Sequence, residues 1–147
     1  MSEIAHFIDN ALVPGTSGRS QPVFNPATGQ AEKTVALASI TEVERAVASA
    51  KAAWTTWSKT PPLRRARILA RFEMILWERG EQLAEAISAE HGKTQDAALG
   101  EVTRGLEVVE FAVGAPHLLK GEFTENVGTD VDSHCVRQPL GVVAGIT

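Results

Sequence analysis

Apolar positions recur along this chain with two different periods, and the change of period divides it. Between residues 6 and 37 the apolar pairs are short and separated by turn-forming residues, as strands are. Phe7-Ile8 and Leu12-Val13 flank Asp9-Asn10, a pair suited to a tight hairpin turn. A loop follows through Pro14-Gly15-Thr16-Ser17-Gly18. Val23-Phe24 then leads into Asn25-Pro26-Ala27-Thr28-Gly29, where proline and glycine reverse the chain, and Lys33 to Leu37 is the expected returning strand.

From 41 to 114 the period becomes helical. Thr41 and Glu44 have the spacing of a capping box, ahead of Val43, Val47, Ala50, Trp54 and Trp57 on one stripe. Thr60 is the expected cap of a second helix with Pro61 at its first position; Leu69, Phe72 and Leu76 form its apolar face, and Gly80 is its expected stop. Leu83 and Ile87 mark a third helix that ends at His91-Gly92. A fourth runs from about Gln95 to Val113, with Leu99, Val102, Leu106, Val109 and Val113 on one side and Pro116 as its end. The helical spacing of Trp54, Trp57, Trp77 and the phenylalanines predicts core positions rather than a base-stacking platform.

Residues 121–138 are polar and predict an extended excursion or hairpin. Beyond Pro139, Gly141-Val142-Val143-Ala144-Gly145-Ile146-Thr147 reads as a buried strand, with Val142 and Val143 in a core. Such a strand needs pairing neighbours, and no other part of the chain offers a comparable run for a parallel sheet, so the end reads as an interruption. The order of elements predicts an α/β protein: small β segment, helical bundle, β excursion, then the first strand of a Rossmann-like unit.

Composition narrows the function. The 147 residues carry 14 basic and 18 acidic side chains, a net charge of −4, interspersed along the chain. Nucleic acid is therefore not the expected partner. Nothing approaches a membrane span, and the N-terminus has neither the charge nor the apolar run of an export signal. The one cysteine, Cys135, excludes an internal disulfide framework and an all-thiolate metal site, and fits a reducing cytoplasm. His6, His91, His117 and His134 lack metal-ligand spacing. Cys135 lies beside His134, yet adjacent side chains of an extended segment point to opposite faces, so a catalytic Cys–His pair is not expected. Lys93 after His91-Gly92 fits a helix end better than a phosphate loop, since the glycine-rich run is missing.

Several stretches, taken in order, resemble the aldehyde dehydrogenase superfamily. They are Phe24-Asn25-Pro26-Ala27-Thr28-Gly29, Trp57 with Pro61 and Arg64 to Leu69, Glu90-His91-Gly92-Lys93-Thr94, and Arg137-Gln138-Pro139-Leu140-Gly141-Val142-Val143. The likeness covers nearly all 147 residues. Within the superfamily, Lys93-Thr94, Asp96-Ala97, Gly100-Glu101-Val102 and Arg104 to Ala112 resemble the methylmalonate-semialdehyde dehydrogenase branch.

The resemblance implies the N-terminal part of the aldehyde dehydrogenase fold. Residues 1–120 would be the front of the NAD-binding domain, 121–139 an arm that pairs with another subunit of a homotetramer, and 140–147 the first Rossmann-like strand. It also implies chemistry: a cysteine thiolate attacks a semialdehyde, hydride passes to NAD, and coenzyme A or water resolves the thioester. In this branch the expected product is propionyl-coenzyme A, after loss of carbon dioxide. The nucleophile and the oxyanion-hole asparagine lie beyond Thr147 in the family, so the chain by itself is expected to be inactive.

Three residues remain as candidates. Arg104 is implied as the contact for the substrate carboxylate, which a guanidinium binds with two parallel hydrogen bonds. On the residues alone, a solvated arginine paired with Glu101 or Glu107 is the favoured reading, and the resemblance reverses it. Ile146 and Thr147, at the carboxyl end of the last strand, are implied as backbone contacts to NAD; there is no G-x-G-x-x-G. A non-acylating branch of the superfamily, or a small helical interaction module, are the alternative readings.

Overall fold

A computed structural model describes residues 2–147. The short strands come first. β1 (Ser2–Ile4) pairs parallel with β5 (Ala31–Ala36), and β4 (Ser20–Phe24) pairs antiparallel with β5, giving the order β1-β5-β4. β2 (His6–Ile8) and β3 (Ala11–Val13) form a separate hairpin. Its two turn residues, Asp9 and Asn10, have φ of 55° and 60°, the left-handed pair that a two-residue hairpin turn demands. β1 has no counterpart in the sequence reading: three residues are too short to show alternation, and their partner lies some thirty residues away.

The helices follow as α1 (Ile40–Trp57), α2 (Pro62–Glu78), α3 (Gly80–His91), α4 (Gln95–Val113) and the single turn α5 (Ala115–Leu118). Their existence and periods agree with the sequence, but several ends do not. The capping box of α1 is Ser39 with Glu42, not Thr41 with Glu44. Ser39 Oγ accepts from Glu42 N at 3.3 Å, and Glu42 Oε2 accepts from Ser39 N at 2.7 Å. Glu42 Oε1 also accepts from Thr16 N at 2.7 Å, a tertiary bond that Glu44 could not make. Pro61, not Thr60, occupies the cap position of α2, with Pro62 at its first turn; the Thr60 hydroxyl instead donates back to Thr56 O at 3.2 Å. Gly80 opens α3 rather than closing α2, and is buried there. α4 stops at Gly114, and Pro116 lies within α5.

The core is a seam of small side chains. Ala84 of α3 and Ala98 of α4 are both fully buried and meet with Val102, flanked by Ile87 and Leu106. With no γ-carbons between them, the two helices approach closely, and α4 presents Ala98, Val102, Leu106 and Val109 to this side. The large side chains behave differently. Trp54, Trp57 and Trp77 are exposed, Trp77 by 77%, and so are all five phenylalanines. Their predicted core positions are not core in this chain. The periodicity identified the apolar faces, but only those of α3 and α4 are covered by each other; nothing among the described residues covers the stripe of α1 or Phe72 and Trp77 of α2. The accessible surface is 11757 Å², against about 7,300 Å² for a compact monomer of this mass.

β6 (Phe123–Gly128) and β7 (Val131–His134) form the expected hairpin, exposed along both strands. Residues 140–147 form no strand, and Val142 and Val143 are exposed rather than core. An apolar run becomes a strand only by pairing, and this one meets no strand among the described residues. No described helix is long and apolar enough to cross a membrane.

Two predictions follow from this packing. Ala98→Leu overpacks the α3–α4 seam and should lower stability by about 1–3 kcal/mol, read from urea unfolding by circular dichroism. Ala97→Leu, one position along on the exposed face, should leave the midpoint nearly unchanged. Glu42 is held at a pKa of about 2, below its ordinary 4.5, chiefly by its hydrogen bonds from Ser39 and then from Thr16. Because the folded value is the lower one, its contribution is complete above pH 4.5 and is lost as pH falls toward 2. Glu42→Gln should therefore lower the unfolding midpoint at pH 6 and flatten its fall between those limits; an equally steep fall in the variant would refute this origin.

Candidate functional site

α4 positions the candidate. Thr94 caps it, its hydroxyl accepting from Ala97 N at 3.3 Å, with Asp96 in the first turn where the helix dipole favours an acid. The seam with α3 then fixes its rotation. With 3.6 residues per turn, burying Ala98 and Val102 turns Arg104 and Phe111 to the opposite side and sets Glu101 and Val108 on the flank, and all four are exposed. A cation thus stands beside two large apolar side chains on one open helix face.

The charges around Arg104 are arranged unexpectedly. Neither Glu101 nor Glu107 pairs with it, although both have the spacing. Glu101 instead accepts from Lys93 Nζ at 2.5 Å. Its carboxyl is held below the usual carboxylate range, first by the hydrogen bond and charge of Lys93, with smaller contributions from His91 and Arg104. Arg104 makes no hydrogen bond or ion pair among the described residues. Its guanidinium is available to an external carboxylate.

The sequence reading placed Lys93 at a helix end and Glu101 beside Arg104, but did not pair the two. Eight positions apart, they fall outside the pairing rules for one helix. The usable signal was Gly92, whose φ of 80° turns the chain sharply between α3 and α4 and sends the lysine back along α4. Gly92 also packs tightly, since a Cβ there would lie 2.9 Å from Pro26 Cγ. Lys93 therefore sits at a helix end, as expected, but its ammonium serves α4 rather than the last carbonyls of α3.

The other candidates stand apart. Ile146 is fully exposed, and no hydrogen bond or ion pair links it or Thr147 to α4 among the described residues. Gly105, next to Arg104, has open space where a side chain would stand. Cys135 is a free, exposed thiol whose backbone N–H donates to Glu122 O at 2.8 Å; its sulfur has no hydrogen bond to His134. No group of residues suited to a metal ion occurs among those described. An open groove of about 580 Å³ between α2 and α4 is lined by Met74, Trp77 and Leu106 with Glu73, Glu107 and Glu110. Its carboxylates would repel an acidic ligand, and Arg104 is not part of its wall.

Comparison with known proteins extends these observations. The aldehyde dehydrogenase family matches residues 12–147. A malonate-semialdehyde dehydrogenase of Pseudomonas aeruginosa is 45% identical over the whole chain, which covers 29% of that protein. Malonate-semialdehyde dehydrogenase 3 of Geobacillus kaustophilus is 46% identical over 144 residues, 98% of this chain and 30% of that one. Among solved structures, a candidate methylmalonate-semialdehyde dehydrogenase of Sinorhizobium meliloti complexed with NAD superposes with a TM-score of 0.90 at 52% identity, over 96% of this chain and 29% of that one. The methylmalonate-semialdehyde dehydrogenase of Oceanimonas doudoroffii gives 0.89 at 47% identity, over 95% and 28%. The chain thus spans about 30% of the length of the relatives it matches, and its fold is that of the N-terminal part of such structures. On the match of residues 12–147, together with the order of strands and helices just described, the chain belongs to the aldehyde dehydrogenase family.

Proposed function

We propose that this chain is the N-terminal part of an NAD-dependent, coenzyme A-acylating dehydrogenase. Its substrates are methylmalonate semialdehyde and malonate semialdehyde, and its products are propionyl- and acetyl-coenzyme A with loss of carbon dioxide. The observation that carries the reading is the unpaired guanidinium of Arg104. An aldehyde that also bears a carboxylate needs one fixed cation at the far end from the reacting carbon, and Arg104 offers it on a rigid helix beside apolar Val108 and Phe111. The names of the relatives that share this segment support the same substrate class.

The cofactor, NAD, accepts a hydride from the aldehyde carbon when bound. The likeness to the family gives the contact with it to the carboxyl end of the 140–147 run, where ligands of open α/β sheets bind. Ile146 and Thr147 would hold it through their backbone atoms. The nucleophilic cysteine and the oxyanion-hole asparagine belong to the part of the enzyme after Thr147. The exposed β6–β7 hairpin, within residues 121–139, is the arm by which subunits join into a tetramer, and the enzyme works in the cytoplasm.

Two measurements test this. In the longer enzyme, Arg104→Ala should raise KM for malonate semialdehyde at least tenfold, as expected for loss of a charge-assisted bidentate contact worth ~1.5–3 kcal/mol. Oxidation of propionaldehyde, which has no carboxylate, should be little changed. An unaltered preference between the two aldehydes would remove the physical basis for the substrate class. The 147-residue chain alone should form no NADH with either aldehyde, and measurable turnover would contradict the placement of the nucleophile outside it.

A further inference from the structure

A glutamate three residues before an arginine on one helix is its nearest partner. Left to itself, the Glu101 carboxylate would occupy the Arg104 guanidinium and place a negative charge where an anionic ligand must approach. In this structure the carboxylate is drawn the other way. Lys93 reaches it from the link between α3 and α4, and both neighbours of Lys93 are pinned: Gly92 by its left-handed turn against Pro26, Thr94 by its capping bond to α4. The lysine side chain is only 19% exposed, so its ammonium is held at this place rather than moving freely in solvent. Arg104 is the member of the trio left without a bond.

We propose that Lys93 is a positioning residue for carboxylate recognition: by holding Glu101, it keeps the Arg104 guanidinium free for the carboxylate of an acid-bearing aldehyde. The inference rests on the role given to Arg104 under the proposed function and adds a cause for its availability. Lys93 touches neither the substrate nor the reacting atoms in this account. It acts through Glu101, which predicts that its importance vanishes when Glu101 carries no charge.

The test is a double-mutant cycle in the longer enzyme, with malonate semialdehyde and propionaldehyde as the two probes and NADH formation as the readout. Lys93→Met should raise KM for malonate semialdehyde by roughly three- to fivefold, the range of an exposed ion pair, and move kcat/KM for propionaldehyde by less than about twofold. Lys93→Arg should keep the parent KM. In a Glu101→Gln background, Lys93→Met should change KM by less than about twofold. Should Lys93→Met alone not fold, the double variant Lys93→Met/Glu101→Gln, which leaves no unpaired charge, is expected to stay within about twofold of the parent KM. An equal KM rise in both backgrounds, or a raised KM in the double variant, overturns the inference, because Lys93 would then act independently of Glu101. No KM change in Lys93→Met overturns it as well. These outcomes are distinct from failure of the reading beneath: that failure is an unchanged aldehyde preference in Arg104→Ala, whatever Lys93 does.

Discussion

The contact between Ala84 and Ala98 sets the geometry on which the candidate site depends. Two side chains of one carbon each, both fully buried, let α3 and α4 lie close enough for Val102, Ile87 and Leu106 to close around them. A helix pinned along one face has no freedom to rotate. The rest of its surface is then fixed: Arg104 and Phe111 face outward because Ala98 and Val102 face inward, with Glu101 and Val108 on the flank between. The Lys93–Glu101 pair follows from the same arrangement, since the short link from α3 must leave one helix end and enter the next at the separation that the alanines allow.

Beyond that seam the chain is apolar but uncovered. Most of the large side chains that the helices place on their apolar stripes meet solvent, and the surface exceeds that of a compact monomer by about 4,500 Å². That excess is comparable to a large obligate interface. It runs along α1 at Val43, Val47 and Trp57, along α2 at Phe72 and Trp77, and through the 140–147 segment. The relatives are about three times as long as this chain, and their further residues are the natural cover for such faces.

Legibility in the sequence followed range of interaction. α4 was legible over its length because its long apolar stripe is a local signal, although the chain leaves it at Gly114 and not at Pro116. The β2–β3 turn was legible for the same reason: Asp9-Asn10 tolerates the left-handed backbone. The start of α1 was not, because two overlapping Ser/Thr-x-x-Glu patterns compete there. The choice fell to Thr16, whose N–H lies 26 positions upstream. The tryptophans were assigned to a core because period reveals a face and is silent about what covers it. Arg104 stood out only through resemblance, and its freedom from Glu101 was invisible, since it depends on an ammonium delivered around a turn. The final apolar run was read as a strand from its residues, yet strand character belongs to a pair.

Gly92 and Pro26 connect two of the most recognisable stretches of this sequence, the Asn25-Pro26-Ala27-Thr28-Gly29 turn and the His91-Gly92-Lys93 helix end. They are 66 positions apart and in direct contact, and the ion pair of Lys33 with Glu90 at 3.0 Å braces the same junction. Each stretch taken alone looks like an independent signature, one for a reversal and one for a helix stop. Physically they are the two halves of a single joint, and neither is free to drift without the other. Homologues should therefore show these positions changing together or not at all, because selection acts on the joint and not on the distance along the chain that separates its parts.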